Sequence, residues 1–354
     1  MIDSIRLQNY KGHSDTTIHF ARLTVLVGEN ACGKSSVLEL LHRTSEGLPD
    51  HLPIELLRHG GDALAWTVHN HDDDDTTTIT ARYEPATGSP VLHATVREVT
   101  TGRGEVGRRP RAMLVALSPQ ALAASSKPES AHPSLGPQGE GLASVLAHLK
   151  LTDEPRFRRI VERLQRVVPI VRGLGFARVS VTSQAMRTIQ VEGQRVAITE
   201  MVPVIHDALR FDFVDAPAVP AAQVSEGTLL TLGILTALET VERTRHIEAG
   251  QEIAPVRLAL LDDLDRALHP RAQRELIAAL RKVLDETPDL QIVATSHSPY
   301  LVDTLRPEEV VVLGRMGDGT ITAKRLDAFP DARLKAMLST GELWMSEGES
   351  WVAQ

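Results

Sequence analysis

The 354-residue sequence has little cysteine, few aromatic residues and no long hydrophobic run. Its single cysteine, Cys32, excludes an intramolecular disulfide and a Cys-based zinc site. Aromatic residues make up only 3% of the chain, so aliphatic side chains must build the core. No run approaches the roughly 18 apolar residues of a membrane helix, and the first residues lack the pattern of a signal peptide. We therefore expect a cytoplasmic protein that makes no membrane contact.

Strong positive charge, internal repeats and sustained heptads are also missing. A formal net charge of −8 argues against a protein that coats nucleic acid, although it allows local basic patches. Without heptads, the long coiled-coil arms of chromosome-organising ATPases are excluded. The length suffices for one large domain or two ordinary ones.

Hydrophobic periodicity is clearest in the last third of the chain, where strands and helices alternate. Strands are predicted at Val256–Leu261, Gln291–Thr295 and 310–313, with helices between them, a pattern typical of a parallel sheet. The Gly-, Pro- and Ser-rich stretch 102–141 predicts loops and short helices. Three short strands are predicted within 177–198. A helix over 155–168 carries a basic face formed by Arg156, Arg159, Arg163 and Arg166.

One motif points directly to a ligand. Residues 28–35 match the phosphate-loop pattern G-x-x-x-x-G-K-S, between a predicted strand at Leu23–Val27 and a helix that begins near Lys34. Glycines let backbone N–H groups turn toward phosphate oxygens, Lys34 would neutralise the β- and γ-phosphates, and Ser35 would offer a hydroxyl to Mg²⁺. The alternative is a Gly-rich turn that merely packs. The nucleotide-binding candidates are Gly28, Asn30, Ala31, Cys32, Gly33, Lys34, Ser35 and Ser36.

Carboxylates follow a later apolar strand. Asp262 and Asp263 end the strand at Val256–Leu261, and ligands gather at the carboxyl ends of parallel strands. Asp262 is therefore predicted to hold Mg²⁺ and Asp263 to orient the attacking water. Taken alone, such acids are just as typical of a helix N-cap. The next strand leads to His297, which could contact the γ-phosphate or that water, although a lone histidine is more often structural.

A second anion site is predicted at Ser225, Glu226 and Gly227, which open a helix expected over 229–243. A serine N-cap leaves backbone N–H groups free to meet a negative charge. A simple capped helix is the alternative.

In this order, the motifs resemble those of ABC-type ATPases of the SMC/RecF/OLD group, and more closely the stand-alone AAA-family predicted ATPases of bacteria. The resemblance covers most of the chain. It implies an α/β fold: an ABC-type P-loop ATPase head with a mixed or parallel core sheet, a β-rich N-terminal lobe and a helical insertion. We predict one head over 1–314, divided into 1–110, 111–175 and 176–314, followed by a C-terminal tail over 315–354.

The resemblance also implies ATP and Mg²⁺ as cofactors and a homodimer that sandwiches ATP. In such a dimer, Ser225 of one head meets the γ-phosphate held by the other. Gln120 is the candidate for the metal-contacting glutamine of these heads. The sequence departs from the family at Asp262-Asp263, where relatives carry Glu-Glu or Asp-Glu, and at Leu264, where they carry proline. A shorter water-orienting acid moves its carboxylate by roughly 1 Å, a displacement that can cost on the order of 10²-fold in rate.

These features predict an ATP-hydrolysing head that controls a nucleic-acid-related process or a separate effector protein, as ATPases of this kind do in phage defence. The alternatives are a slow or non-hydrolysing ATP-gated switch and a transporter nucleotide-binding subunit. The long, β-rich insertion between Ser35 and Ser225 disfavours the transporter. Only 57 residues follow His297, too few for a nuclease domain, so any cutting would need a separate effector. If the chain contacts nucleic acid, it would do so through Arg103, Arg108, Arg109 and Arg111. The alternatives are that these arginines lie in a solvated loop or bind the acidic surface of a partner.

Overall fold

The computed structural model describes residues 1–72, 75–86, 90–101, 111–127, 133–191, 194–240, 246–248, 251–253 and 256–353. The chain forms two compact units: Met1–Ala116 with Val241–Gln354 (unit 1), and Leu117–Thr240 (unit 2). The strands are β1 (Ile2–Tyr10), β2 (His13–His19), β3 (Leu23–Val27), β4 (His51–Pro53), β5 (Leu64–Asp72), β6 (Asp75–Pro85), β7 (Val91–Thr101), β8 (Arg111–Val115), β9 (Val171–Val191), β10 (Gln194–Phe213), β11 (Val219–Pro220), β12 (His246–Glu248), β13 (Gln251–Ile253), β14 (Val256–Leu261), β15 (Gln291–Thr295), β16 (Val310–Arg315) and β17 (Ile321–Arg325). The helices are α1 (Lys34–Glu46), α2 (Pro119–Ala123), α3 (Leu142–Thr152), α4 (Glu154–Val167), α5 (Glu226–Thr240), α6 (Pro270–Glu286), α7 (Pro299–Val302), α8 (Ala332–Met337), α9 (Thr340–Leu343) and α10 (Glu349–Val352).

A six-stranded mixed sheet lies in unit 1, in the order β17-β16-β3-β15-β14-β8. β17 runs antiparallel to β16, whereas the other neighbours pair in parallel. Every residue of β3 and β15 is buried, because central parallel strands are covered on both faces and read as continuous apolar runs. The carboxyl ends of β3, β14 and β15 therefore lie at one edge of the sheet.

A second six-stranded sheet in unit 1 is antiparallel, in the order β2-β1-β5-β6-β7-β4. Its core contains Trp66 stacked on Tyr83, with ring centroids 5.3 Å apart. The Trp66 indole Nε1 donates to Thr44 Oγ1 of α1 at 3.0 Å, and the apolar side of α1 belongs to the same buried cluster. These contacts fix α1 against the sheet by a polar bond as well as by apolar packing.

Unit 2 combines helices α2 to α5 with a long antiparallel ribbon formed by β9 and β10. A buried ion-pair cluster joins α4 to α5. Arg163 Nη1 lies 2.7 Å from Glu239 Oε2, and Arg159 Nη2 lies 2.6 Å from Oε1 of the same carboxylate. The Arg163 side chain is only 5% exposed. The prediction of a basic face on this helix is therefore wrong for Arg163, whereas Arg159 stays exposed while it pairs with the same carboxylate.

The expectation of loops and short helices is also wrong for residues 111–115, and the strands predicted within 177–198 are present but fewer and longer than expected. Residues 111–115 form strand β8, which pairs in parallel with β14, although the surrounding Gly- and Pro-rich composition predicted loops. The three short strands predicted within 177–198 are parts of the β9–β10 ribbon, whose pairing runs from Val171 opposite Phe213 to Val191 opposite Gln194. Apolar residues of the ribbon such as Met186, Met201 and Ile205 are exposed, so its burial does not follow a regular hydrophobic alternation.

The fold class is confirmed: the chain is α/β, with a mixed parallel core sheet, a β-rich N-terminal region and helices inserted after β8. The unit boundaries, after Ala116 and Thr240, differ from the predicted divisions, and the expected tail over 315–354 contributes β17 to the unit 1 sheet. Among the helices within the described ranges, none has the length and apolarity required to cross a membrane.

Candidate functional site

The phosphate loop connects β3 to α1, as predicted. Gly28 has φ 140°, Ala31 φ 61° and Gly33 φ 87°. A Cβ atom at Gly28 would lie 2.2 Å from the Leu313 carbonyl oxygen, and one at Gly33 would lie 2.5 Å from His13 Nε2. Both glycines are therefore required by close contacts as well as by their backbone angles. At these two glycines the loop packs tightly against β16 and β2.

Lys34, the first residue of α1, is buried. Its Nζ donates to the carbonyl oxygens of Gly28, at 2.9 Å, and Glu29, at 2.8 Å. The ammonium group is thus held inside the loop. Cys32 Sγ lies 3.5 Å from the same Nζ. Burial raises the pKa of the Cys32 thiol, although Lys34 acts in the opposite direction.

The other loop candidates surround this lysine. Asn30, Ala31 and Ser35 are exposed and Ser36 is half-buried. Arg315, at the end of β16, donates from Nη2 to the Ala31 carbonyl oxygen at 2.7 Å and so supports the strained residue. Sequence reasoning missed Arg315, because its partner lies 284 positions away in the chain.

Polar side chains from the start of α1 and from the end of β15 contact Asp262, which directly follows β14. Ser35 Oγ donates to Asp262 Oδ1 at 3.1 Å, which joins the phosphate loop to the carboxyl end of β14. Thr295 Oγ1, at the end of β15, donates to the same oxygen at 2.6 Å. The Ser35 hydroxyl and the Asp262 carboxylate are hard oxygen ligands of the type that Mg²⁺ prefers, so this pair fits the ion. Sequence reasoning assigned no role to Thr295, although it ends the strand predicted at Gln291–Thr295.

Asp263 has φ 51°, a left-handed conformation. Its backbone N–H donates to Thr295 Oγ1 at 2.8 Å, so one threonine positions both acids. Partial burial raises the pKa of Asp263, as do the neighbouring Asp262 and Asp265 carboxylates, whereas His297 opposes the shift. A carboxyl group in such surroundings accepts protons more readily than an ordinary aspartate, which suits a group that interacts with water.

His297 is exposed and lies directly beyond β15. Its backbone N–H donates to Asp265 Oδ1 at 3.0 Å, which ties the histidine loop to the loop after β14. The structure therefore brings Lys34, Ser35, Asp262, Asp263 and His297 to one edge of the unit 1 sheet.

Ser225, Glu226, Gly227 and Gln120 lie in unit 2. Ser225 precedes α5 and caps it: its Oγ accepts from the Thr228 N–H at 3.4 Å and lies 2.8 Å from Thr228 Oγ1. The Ser225 side chain is exposed, whereas Gly227 is buried. Gln120, in α2, is exposed and its Oε1 accepts from Ser118 Oγ at 3.0 Å. Their roles toward a nucleotide stay predictions.

Of the four arginines proposed for nucleic-acid contact, Arg103, Arg108 and Arg109 lie outside the described residues. Arg111 begins β8 and is exposed. Over the part of the chain that the structure describes, no group of three or more His, Cys, Asp or Glu side chains could hold a metal. The candidate magnesium site at the end of β14 therefore depends on the Ser35 hydroxyl and on a single carboxylate, that of Asp262.

Models of AAA-type ATPase domains match two parts of the chain. The "AAA ATPase domain" matches residues 1–82, which include the phosphate loop, and the "AAA domain, putative AbiEii toxin, Type IV TA system" matches residues 129–303, which include Ser225, Asp262, Asp263 and His297. These matches confirm the predicted relationship. The chain is therefore similar to AAA-type ATPase domains over residues 1–82 and 129–303.

Similar individual proteins are also known. The Septu protein PtuA of Bacillus thuringiensis is 36% identical over 69 residues, which are 20% of this chain and 17% of that protein. The Septu protein PtuA of Bacillus mycoides (strain KBAB4) is 23% identical over 328 residues, 88% of this chain and 40% of that protein. The chain thus spans less than half the length of these relatives.

Two solved structures resemble the fold. An SMC head domain from Thermotoga maritima has a TM-score of 0.47 and 11% identity, covering 92% of this chain and 98% of the other. The recombination mediator protein RecF-ATP of the RecFOR pathway has a TM-score of 0.45 and 12% identity, covering 91% and 97%.

Proposed function

We propose that this chain binds and hydrolyses ATP, closes into a dimer around it, and thereby controls a separate effector. The observation that carries the proposal is the 3.1 Å hydrogen bond between Ser35 Oγ and Asp262 Oδ1. It joins a phosphate loop to a strand-end carboxylate, the two groups that together hold a metal-bound triphosphate in P-loop ATPases.

The residues of the site would have separate roles in the binding and hydrolysis of ATP. The loop's backbone N–H groups and Lys34 would bind the β- and γ-phosphates. Ser35 and Asp262 would hold Mg²⁺, which offsets negative charge on the phosphates when bound. Asp263 would orient the attacking water and accept its proton, with His297 close to the terminal phosphate. Thr295 acts as a positioning residue, since its hydroxyl bonds both Asp262 and the Asp263 backbone.

The position of Ser225 supports the proposed dimer. Its exposed hydroxyl lies at the N-terminus of α5, a helix of 15 residues whose dipole favours an anion. We propose that it meets the γ-phosphate held by a second copy of the chain.

A slow ATP-gated switch is the second candidate, favoured by a specific observation at Asp263. This residue has a shorter side chain than glutamate, and its backbone is held in the left-handed region by Thr295. If the carboxylate lies too far from the water, ATP would close the dimer without rapid turnover.

We further propose a partner effector, with phage defence as the setting and nucleic acid as a second ligand. Support comes from the AAA-family matches, one of whose descriptions names a putative toxin of a toxin–antitoxin system, and from the similarity to Septu proteins. Co-purification with the product of a neighbouring gene tests the partner.

Nucleotide binding and phosphate release test the ATPase. Lys34→Ala should abolish ATP binding, because the loop loses its cation. Lys282→Ala, which removes an exposed lysine of α6, is the matched control and should bind like wild type. Affinity of Lys34→Ala within a few-fold of wild type would contradict the assignment of the phosphate loop. Nucleotide binding with no measurable phosphate release would favour the switch.

A further inference from the structure

The C-terminal helical segment 340–352 lies beside the phosphate loop, within unit 1. It packs on β16 at Gly314, where a Cβ atom would lie 3.2 Å from Val352 Cγ1 and 3.4 Å from the Glu349 carbonyl oxygen. The preceding residue, Leu313, presents its carbonyl oxygen to Gly28 of the phosphate loop. Two consecutive residues of β16 therefore contact the C-terminal segment and the nucleotide loop.

The other end of the segment is fixed near the histidine loop. The Gly341 N–H donates to Asp303 Oδ1 at 2.7 Å, and Thr340 Oγ1 donates to the Leu305 carbonyl oxygen at 2.9 Å. Asp303 directly follows α7, which begins two residues after His297. The segment thus connects the surroundings of His297 to those of the phosphate loop.

A π-helical turn over Trp344–Gly348 lies between these two anchors. Such turns are rare and occur frequently at functional sites, because they rotate the residues that follow. Glu349 is the first residue after the turn and is half-buried.

The electrostatic surroundings of Glu349 are those of the nucleotide site. Partial burial raises the pKa of its carboxyl group, as does the Glu29 carboxylate, whereas the Trp344 indole, Lys34 and His297 act in the opposite direction. The carboxylate is therefore within electrostatic range of both residues assigned to the terminal phosphate.

We propose that Glu349 senses the terminal phosphate of the bound nucleotide and so determines the preference between ATP and ADP. This inference rests on the proposed ATP-binding function. A γ-phosphate brings negative charge between Lys34 and His297, and this charge repels the Glu349 carboxylate. ADP lacks that charge. ATP thus shifts the segment that carries Glu349, whereas ADP leaves it in place.

Equilibrium binding of ADP and of the non-hydrolysable analogue adenylyl imidodiphosphate tests the proposal. Glu349→Gln keeps the side-chain shape and removes the charge, so it should tighten binding of the triphosphate by about tenfold. ADP affinity should change far less. Glu347→Gln makes the same change at an exposed position of the same segment, and should leave both affinities unaltered.

Tryptophan fluorescence gives a second readout on the wild-type chain. Of the three tryptophans, Trp344 and Trp351 lie in the segment and Trp66 lies in the antiparallel core. The triphosphate should change the emission and ADP should not, and the difference should vanish in Glu349→Gln. An equal response to both nucleotides, or an unchanged affinity ratio in Glu349→Gln, would overturn the proposal for Glu349 alone. Failure of wild type to bind either nucleotide would overturn the ATP-binding function together with it.

Discussion

Acidification should destabilise the protein through His13, which lies beneath the phosphate loop. His13 is fully buried. Its Nδ1 lies 3.1 Å from Thr16 Oγ1, whose own hydrogen goes to the Ile321 carbonyl oxygen at 2.6 Å. Nδ1 must therefore be the donor in this pair, and Nε2, which faces Gly33, carries no proton when the ring is neutral.

The pKa of His13 is lowered from 6.5 to about 4, chiefly by burial and to a smaller extent by Lys11, whereas the Gly33 backbone acts in the opposite direction. Between these two values the unfolded chain binds the proton and the folded chain does not. The contribution of neutral His13 to the free energy of unfolding is thus fully present above pH 6.5 and is lost as the pH falls toward 4. A difference of 2.5 pKa units corresponds to about 3 kcal/mol at pH 4, and to roughly 2 kcal/mol at pH 5.

Urea unfolding at pH 7.5 and pH 5.0 measures this loss. His13→Gln removes the titrating group, so its free energy of unfolding should fall by roughly 2 kcal/mol less than that of wild type over this interval. His59→Gln is the control, because His59 is exposed and lacks the burial that governs His13. Equal losses in wild type and His13→Gln would refute the assignment of a buried neutral histidine.

Three further predictions follow from the described contacts. Asp263→Asn should keep ATP bound while phosphate release falls by orders of magnitude, and Asp263→Glu should raise turnover if the short side chain limits it; no effect of either change would shift the role to Asp265 or His297. Ser225→Arg should leave nucleotide binding near wild type but block the dimerisation that light scattering detects with a non-hydrolysable analogue; unchanged dimerisation would contradict the sandwich. Glu239→Ala should lower the free energy of unfolding by about 3–5 kcal/mol, because it breaks a buried ion pair. Glu154→Ala, at an exposed pair with Arg158, should cost less than about 1 kcal/mol, and equal losses in denaturation would refute the distinction.

The sequence predicted correctly those segments in which consecutive residues lie in the same kind of environment. Strands β3, β14 and β15 have the predicted bounds, because they lie inside the parallel sheet and their sequences are mostly apolar. The phosphate loop was equally predictable, since its chemistry requires particular residues at fixed spacing.

The features that escaped prediction depend on partners far away in the chain. β8 is a strand because β14 lies beside it, and Arg163 is buried because Glu239, 76 residues later, compensates its charge. The same holds for Thr295, which meets Asp262 from 33 positions away. No local pattern encodes such pairs.

The β9–β10 ribbon has a consequence for how this chain can change over time. Its strands pair over about 20 residues each with one register irregularity near Phe213, which corresponds to a length of roughly 65 Å. Side chains alternate between faces with a period of two, so loss of two residues from each strand would shorten the ribbon by about 7 Å and leave every remaining side chain on its original face. Loss of a single residue would instead reverse the faces. Related chains could therefore vary the length of the ribbon in discrete steps while the phosphate loop, which lies in unit 1, keeps its sequence.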